Sequence, residues 1–433
     1  MRIDIGNALA AVASPGISES ALTDLDDRVQ PAHERMMAGM ESGDHGYAAL
    51  GLPATVDPDE IETAVARLTD HQEIILAGIG GSALGAATIA NALGSGDRLH
   101  VLDNVDPQRT AALLESVELE NAALFVVSRS GTTTETIANA TLVANAMETA
   151  GIEWTDRTLV ITGDDGPLRT LATEHGLSSL PVPDGVPGRY SALSTMGLPV
   201  AEALGHDIRR LLDGGSRAVD GLEPSLFDSP AYAFGAVSYA LAERGARVNA
   251  MMPYAEGLET FAEWFAQLWA ESLGKGGTGQ VPARALGATD QHSQLQLYRA
   301  GPPIVQTTFL AVDDLGSATV PADGPIDPGE SLRGRSLEEL LETMSRATEA
   351  SVANAGRPTV RLEIERLDES ALGELLMTME AACMLAGDLF EINPFDQPAV
   401  DWSKRATRAL LRGDDTLETR AIHEKTELWI ETE

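Results

Sequence analysis

Residues 73–85 read Glu73-Ile-Ile-Leu-Ala-Gly-Ile-Gly-Gly-Ser-Ala-Leu-Gly85, and this stretch decides the fold. It begins as a short apolar run typical of a buried parallel strand and continues as a glycine-rich turn into an alanine-rich helix. Backbone N–H groups and the helix dipole meet at such a turn and can hold an anion. Gly78, Gly80 and Gly85 do not have the spacing of a dinucleotide site. The stretch therefore favours the phosphate of a small molecule, and a tight βα turn without a ligand is the alternative.

Strands and helices alternate along most of the chain, which predicts an α/β protein. Because 433 residues exceed the size of one typical domain, we expect two doubly wound αβα sandwich domains with mainly parallel sheets. The predicted strands are Glu73–Gly78, Arg98–Asp103, Ala123–Val127, Arg157–Thr162, Ala246–Met252, Gly279–Leu286, Ile304–Val312 and Thr359–Leu367.

Four divisions of the chain are expected. They are an N-terminal segment of helix and loop (1–45), a first α/β domain (46–213), a second α/β domain (214–412) and a polar C-terminal tail (413–433). Residues 213–230 are rich in Gly, Asp, Ser and Pro, and this composition predicts a linker between the two domains.

Charge excludes two classes of partner. The 66 Asp and Glu outnumber the 30 Lys and Arg and give a formal net charge of −36, which argues against nucleic acid and membrane surfaces. The lysines stand only at 275, 404 and 425. We interpret this composition as halophilic, because high salt screens the self-repulsion. The sequence shows neither a signal-peptide pattern nor an apolar span long enough for a bilayer, which predicts a cytoplasmic protein. The single cysteine, Cys383, excludes a disulfide framework and is expected to be buried.

A second candidate anion site follows the apolar run at 123–127. Residues 128–136 read Ser-Arg-Ser-Gly-Thr-Thr-Thr-Glu-Thr at the start of an amphipathic helix. Thr132 and Glu135 could form an ordinary capping box, but one cap needs one hydroxyl. The surplus hydroxyls indicate an oxyanion held by neutral donors. They include Ser128, Ser130, Thr133 and Thr136.

The helix that ends near residue 273 carries a candidate catalytic base, Glu271. Apolar residues precede it at steps of three and four and so share one helical face, and glycines follow it and end the helix. Glu271 stands four residues before Lys275. One interpretation is a solvated ion pair that contributes about 0.2 to 0.5 kcal/mol. The other is that Glu271 is a catalytic base and Lys275 a structural residue.

Three further residues are candidates for chemistry. Arg189 lies in Gly185-Val-Pro-Gly-Arg-Tyr-Ser191, where Pro and Gly favour a fixed turn that aims the side chain inward rather than to the surface. His292 stands at a loop-to-helix junction, where a lone histidine is more often structural, and the histidine spacings predict no metal site. Lys404 is placed about two turns into a helix that follows Pro398, where it can point to a cleft or to water.

Together these motifs resemble the phosphoglucose isomerase family of the sugar-isomerase (SIS) superfamily, whose members have two αβα domains. The matching motifs run in family order from about residue 75 to residue 404. Those at 78–85 and 128–136 are shared by sugar-phosphate binders generally. Four are more specific to the isomerase, namely Gly188-Arg-Tyr-Ser191, Glu271-Ser-Leu-Gly-Lys275, the segment 287–292, and Asn393-Pro-Phe-Asp-Gln-Pro with Lys404.

The resemblance implies a role for each residue in the interconversion of glucose 6-phosphate and fructose 6-phosphate in glycolysis and gluconeogenesis. Glu271 would move a proton between C2 and C1 through a cis-enediol, and Arg189 would stabilise the enediolate. His292, from the neighbouring subunit, and Lys404 would open the sugar ring, so a homodimer with composite sites is implied. No cofactor is expected. The implied phosphate and sugar ligands are Gly81, Ser82, Ser128, Ser130, Thr133, Thr136, Gln267 and Gln397.

The sequence departs from the family pattern in two ways and leaves two rival functions open. Arg129 stands where the family often has Lys, which the lysine-poor composition explains, and the chain is compact beside the longest members. One rival is an isomerase that also accepts mannose 6-phosphate. The other is a sugar-phosphate sensor without turnover, although a sensor would not need Glu271, His292 and Lys404 together.

Overall fold

The structure is a computed structural model that describes residues 1–316 and 318–432. It consists of two compact units, Met1–Pro394 and a second unit from Phe395 onward. Both β-sheets belong to the first unit. The expected boundary between two α/β domains near residue 213 remains a prediction. Among the described helices, none has the length and apolar character that crossing a membrane requires.

Each of the eight strands predicted from the sequence is present in the structure. They are β1 (Arg2–Asp4), β2 (Glu73–Ala77), β3 (Leu99–Leu102), β4 (Ala122–Ser128), β5 (Thr158–Thr162), β6 (Ser178–Pro181), β7 (Val248–Pro253), β8 (Val281–Arg284), β9 (Val305–Asp314) and β10 (Thr359–Arg366). Two of them, β1 and β6, lie outside the predicted set.

The helices alternate with these strands. In the first unit they are α1 (Glu19–Ser42), α2 (Leu52–Thr55), α3 (Pro58–Val65), α4 (Leu84–Ala92), α5 (Pro107–Ser116), α6 (Thr134–Thr149), α7 (Pro167–His175), α8 (Leu198–Ala203), α9 (Ile208–Asp220), α10 (Pro230–Glu243), α11 (Glu259–Leu273), α12 (Leu295–Ala300), α13 (Leu337–Asn354) and α14 (Glu369–Leu389).

The first sheet is fully parallel and has the strand order β3-β2-β4-β5-β6. The chain goes from β2 outward to β3 and then returns to the other side of β2 with β4. Right-handed crossovers on the two sides of this reversal place helices on both faces of the sheet. Doubly wound sheets bind their ligands at such a reversal, beyond the carboxyl ends of the strands. The reversal here lies between β2 and β4.

The second sheet has the order β1-β10-β9-β7-β8 and reverses in the same way between β7 and β9. Its strands are parallel except β1, which pairs antiparallel with β10 and places Arg2 opposite Glu363. The prediction of helix and loop over residues 1–45 is therefore wrong for the first residues, although α1 forms as expected. Three residues carry too short a pattern to reveal a strand, and β1 exists because the edge of β10 is there to pair with it.

The predicted linker is also wrong in its first half. Helix α9 runs through it to Asp220. A Cβ atom on Gly214 would lie 1.9 Å from the carbonyl oxygen of Ser370, and one on Gly373 would lie 1.9 Å from that of Leu211. Glycine therefore allows the backbones of α9 and α14 to touch. The same residue type that indicates a flexible linker in sequence serves close helix packing here.

The second unit contains α15 (Pro398–Arg412) and α16 (Leu417–His423). Helix α16 starts with a capping box, in which Thr416 and Thr419 bond to each other's backbone N–H. Arg405 on α15 donates to Glu418 on α16 at 2.8 Å. The expected polar tail thus contains a capped helix that is tied to its neighbour.

One buried carboxyl in the first unit yields a test of stability. Glu380 on α14 is 1% exposed, and neither of its carboxyl oxygens has a hydrogen-bond partner among the described residues. Burial raises the pKa of Glu380 well above its usual value. The unfolded chain releases this proton at a lower pH than the folded chain does. The free energy of unfolding therefore falls as pH rises from the ordinary carboxyl pKa toward the raised one.

We predict that Glu380→Gln, which keeps the shape and removes the ionisation, raises Tm at pH 8 and that the gain shrinks toward pH 5. Calorimetry at constant salt measures both values. Glu365→Gln is the control, because that side chain is 85% exposed. A lower Tm than wild type at pH 8 would contradict the prediction.

Candidate active site

Two glycine- and hydroxyl-rich loops lie side by side at the carboxyl edge of the first sheet. A 3-10 turn, Gly80–Ser82, follows β2 and leads into α4, and Ser128 is the last residue of β4. Since β2 and β4 are neighbours at the reversal of strand order, both predicted anion loops meet at the place where such sheets bind ligands. The sequence could place each loop after a strand, and the strand order brings them together.

The hydroxyls of the second loop form a cluster rather than a helix cap. Ser128 Oγ lies 2.9 Å from Thr133 Oγ1, and Ser130 Oγ lies 3.5 Å from it. Thr133 is the N-cap residue of α6, and its side chain makes no capping hydrogen bond. The alternative of a Thr132–Glu135 capping box is therefore wrong. Thr136 is 1% exposed, and its hydroxyl oxygen has no partner among the described residues.

Two glycines bring the first loop into contact with the rest of the site. A Cβ on Gly81 would lie 2.3 Å from the carbonyl carbon of Gly188 and 2.6 Å from the amide nitrogen of Arg189. Gly80 has a positive φ of 58°, and a Cβ there would lie 2.7 Å from Gln267 Nε2. The loop after β2 thus touches both the Arg189 turn and helix α11. A side chain at 81 would overlap backbone atoms of that turn, and the positive φ at 80 favours glycine.

Glu271 lies in the last turn of α11 and is held between two partners. Gln267 Nε2 donates to Glu271 Oε1 at 3.2 Å, and Arg189 Nη1 lies 3.4 Å from Glu271 Oε2. The Glu271 side chain keeps 30% of its surface exposed, so a substrate can reach it. Lys275 Nζ donates to the backbone carbonyls of Glu271 at 3.2 Å and Ser272 at 2.6 Å. Lys275 therefore stabilises the end of α11, as a structural residue would.

Arg189 points inward, as the sequence predicts. It lies in the 3-10 turn Gly188–Tyr190 and is 2% exposed. Its Nε donates to Ser272 Oγ at 2.8 Å and its Nη2 to the carbonyl oxygen of Pro394 at 2.6 Å. Arg129 lies close enough to Arg189 to be affected by its positive charge. Desolvation by burial is the larger cause that lowers the pKa of Arg129, and the charge of Arg189 is the second. The site thus concentrates positive charge in a protein of net charge −36.

His292 closes a 3-10 turn, Thr289–His292, and its side chain is exposed. The segment before it is tightly held. Gly287 N–H donates to the carbonyl oxygen of Pro253 at 2.9 Å, and a Cβ on Gly287 would lie 2.5 Å from the ring of Tyr254. His292 is therefore displayed beyond the carboxyl edge of the second sheet.

Glu271 lies at the opposite end of that sheet. Helix α11 returns from the end of β7 to the start of β8, where Val281 stands beside Val248, the first residue of β7. The twelve residue steps from Glu259 to Glu271 span about 18 Å of helix at about 1.5 Å per step. Within one chain, Glu271 therefore lies at the end of α11 that is far from the carboxyl edge of the sheet, where His292 stands.

Lys404 and Gln397 belong to the second unit. Gln397 is the N-cap residue of α15, and Lys404 lies in that helix with an exposed side chain, two turns in as predicted. Their roles at the site remain predictions.

Comparison with known proteins decides the family. The sequence profile of the family described as Phosphoglucose isomerase matches residues 64–426 of this chain. The chain belongs to the phosphoglucose isomerase family. The expected family, enzyme class and fold class are thereby confirmed.

Individual members of the phosphoglucose isomerase family cover nearly the whole chain. A probable glucose-6-phosphate isomerase of Natronomonas pharaonis is 56% identical over 98% of this chain and 99% of its own. A second, from Haloarcula marismortui, is 54% identical over the full length of both. The crystal structure of a glucose-6-phosphate isomerase from Chlamydia trachomatis superimposes with a TM-score of 0.82 at 21% identity over 94% of this chain and 89% of its own. At this level of identity, the superposition with the Chlamydia trachomatis structure supports the fold alone.

Two residues next to the predicted ones were missed by sequence reasoning. Ser272 Oγ accepts a hydrogen bond from Arg189 Nε and another, at 3.0 Å, from the hydroxyl of Tyr190. Both residues directly follow a predicted catalytic residue in the chain. Ser272 lies on the buried side of α11, and a polar residue on an apolar helical face is the signal that could have revealed it.

The glycine contact yields a test. Gly81→Ala must push the loop 80–82 away from the Arg189 turn, because backbone atoms would lie within 3 Å of the new methyl group. We predict that phosphate then stabilises the variant less, since at a given phosphate concentration weaker binding raises Tm by a smaller amount. Tm is measured against phosphate concentration. Gly324→Ala is the control, because its Cβ would meet no atom closer than 4.0 Å. An unchanged phosphate response in Gly81→Ala would contradict the prediction.

Proposed function

We propose that this chain interconverts glucose 6-phosphate and fructose 6-phosphate through a cis-enediol intermediate, with Glu271 as the base. The observation that carries the proposal is the position of one partly exposed carboxylate. Glu271 lies 3.4 Å from a buried guanidinium and 3.2 Å from the amide of Gln267. Gln267 in turn contacts the loop 80–82, which is predicted to bind phosphate. The names of the relatives support the same reaction.

The proton transfer needs a carboxylate of fixed orientation. In the proposed reaction Glu271 removes the proton from C2 of glucose 6-phosphate and returns it to C1 of the enediol. Gln267 orients one carboxylate oxygen, and the other lies on the side of Arg189. A positioned base of this kind contributes typically about 10²- to 10⁴-fold to a rate.

Arg189 is suited to stabilise the enediolate oxygens. Its guanidinium is buried and held by hydrogen bonds, so little reorganisation is needed when negative charge develops beside it. A preorganised donor of this kind contributes about 2.7 to 4 kcal/mol to a transition state. The substrate phosphate is assigned to the two loops at the first sheet, where Ser82 and the hydroxyl cluster of Ser128, Ser130 and Thr133 supply neutral donors.

Ring opening requires a second pair of groups, which we assign to His292 and Lys404. Because His292 lies at the far end of α11 from Glu271 in its own chain, the proposal places it at the active site of a neighbouring subunit. A twofold dimer repeats the contact at both sites. Each site would then combine Glu271 of one subunit with the histidine of the other.

Glu271→Gln tests the base assignment directly. The amide keeps the hydrogen-bonding shape and removes the proton acceptor, so we predict a fall in kcat of about 10²- to 10⁴-fold with little change in KM. The assay follows fructose 6-phosphate and mannose 6-phosphate in parallel. Turnover of both by wild type would favour the broader isomerase. Binding of sugar phosphate without any turnover by wild type would favour the sensor, and unimpaired turnover by Glu271→Gln would refute the base.

A mixed dimer tests the composite site. Glu271→Gln and His292→Ala are each predicted to be nearly inactive alone. Co-expression gives heterodimers with one intact site out of two, so purified heterodimers are expected to have about half of the wild-type specific activity. The measurement is the specific activity of dimers purified through two different affinity tags. An inactive heterodimer would place Glu271 and His292 of the same chain in one site.

A further inference from the structure

We infer that Ser272 is the positioning residue of Arg189: it fixes the orientation of the guanidinium toward the reacting oxygens without touching the substrate itself. The inference deepens the proposed function and rests on it. Ser272 is 0% exposed and follows Glu271 on the last turn of α11. In the same helical turn, the Glu271 side chain is partly exposed and the Ser272 side chain is buried.

The guanidinium is fixed on two of its edges. Nε donates to Ser272 Oγ at 2.8 Å, and Nη2 donates to the carbonyl oxygen of Pro394 at 2.6 Å. Nη1 lies 3.4 Å from Glu271 Oε2. The two short bonds hold Nε and Nη2 and so contribute to the direction in which Nη1 points. Of these two partners, only Ser272 is a side chain that substitution can remove.

The Ser272 hydroxyl has a determined direction. It accepts from Arg189 Nε and also from the hydroxyl of Tyr190 at 3.0 Å, which occupies both of its lone pairs. The thiol of Cys383 interacts with both Ser272 and Tyr190. Cys383 Sγ lies 3.6 Å from the carbonyl oxygen of Leu268. These contacts connect Arg189 through Ser272 and Cys383 to the core of α11 and α14.

The donors of this network stay protonated in the working range of pH. Burial raises the pKa of Tyr190 well above 10 and that of the Cys383 thiol to about 11. Neither group becomes an anion that would attract the guanidinium away from Glu271. The orientation of Arg189 is therefore expected to be independent of pH near neutrality.

Loss of the serine is expected to affect the transition state more than substrate binding. Alanine at 272 leaves the Nε–H of Arg189 without its short acceptor in a buried place and allows the guanidinium to turn. Enediolate charge exists only during the reaction, so misplaced donors lower kcat and leave KM nearly unchanged. Small misplacements of this kind lower rates by roughly tenfold to hundredfold.

The experiment compares three variants in kcat, KM and Tm with fructose 6-phosphate. Ser272→Ala is expected to lower kcat about tenfold to hundredfold and to change KM less than about threefold. Tyr190→Phe, which keeps the ring and removes one donor to Ser272, is expected to show a smaller fall in kcat. Ser238→Ala is the matched control. Ser238 is equally buried in a helix, α10, and accepts one hydrogen bond, from Gln306 at 3.0 Å.

The outcomes separate positioning from simple packing. A fall in kcat for Ser272→Ala with no fall for Ser238→Ala, at similar losses in Tm, supports the inference. Equal effects of both variants on kcat, or a folded Ser272→Ala with wild-type kcat, would overturn it. If Ser272→Ala does not fold, Tyr190→Phe decides, and an unchanged kcat there overturns the inference.

A second readout uses a phosphosugar hydroxamate, whose anionic group mimics the enediolate. Ser272→Ala is expected to lose affinity for this compound by the same factor as kcat and to keep its affinity for fructose 6-phosphate. Equal losses for both ligands would overturn the inference. Absence of turnover in wild type would refute the proposed function instead. An inactive Glu271→Gln beside a fully active Ser272→Ala would refute the inference alone.

Discussion

Burial of one positive charge, the guanidinium of Arg189, is the constraint on which the rest of the site depends. A buried charge is tolerated only where hydrogen-bond partners replace water. Arg189 is 2% exposed and finds these partners in Ser272 and in the carbonyl of Pro394, with the carboxylate of Glu271 farther away. The turn at 188–190, the end of α11 and the chain at residue 394 must therefore come together. The Glu271 carboxylate therefore lies beside a guanidinium of fixed position and remains partly exposed to solvent.

Close backbone contact extends this constraint to the first sheet. Gly81 touches Gly188 and Arg189, so the loop after β2 and the buried guanidinium cannot move independently. That loop lies next to the hydroxyl cluster after β4 because β2 and β4 are neighbours at the reversal of strand order. In the proposed reaction, phosphate binding at one end of the sugar and proton transfer at the other would share this frame. Distances within such a frame determine how well a reacting carbon is presented to Glu271.

The parts of the structure that local patterns encode could be predicted from the sequence. Apolar runs give the strands β2 to β5 and β7 to β10, and alternation with helices gives parallel sheets with loops at their carboxyl edges. Arg189 could be predicted to point inward because Pro187 and Gly188 restrict its turn. Cys383 is buried as expected. The resemblance to the phosphoglucose isomerase family then joined residues that lie far apart in the chain.

The parts that only tertiary contacts create could not be predicted. Strand β1 needs the edge of β10, and the glycines near 214 serve helix packing in place of a linker. The cap of α6 is Thr133 and not Thr132, because the neighbouring hydroxyls bond to one another across the loop. In the sequence Ser272 is an ordinary helical serine, and only the folded structure shows that Arg189 and Tyr190 donate hydrogen bonds to its oxygen. In each case the sequence shows the residue but not the part of the fold that it contacts.

The central claim is that a carboxylate carries a proton between two carbons of the substrate. Conversion of fructose 6-phosphate in D₂O, followed by NMR at low conversion, tests it most directly. Proton transfer through an enediol and a base that exchanges with solvent predicts deuterium at C2 of the glucose 6-phosphate formed. Product without deuterium at C2 at every stage of conversion, as a direct hydride shift between the two carbons would give, would contradict the claim, because a carboxylate with 30% of its side chain exposed exchanges part of its proton with solvent.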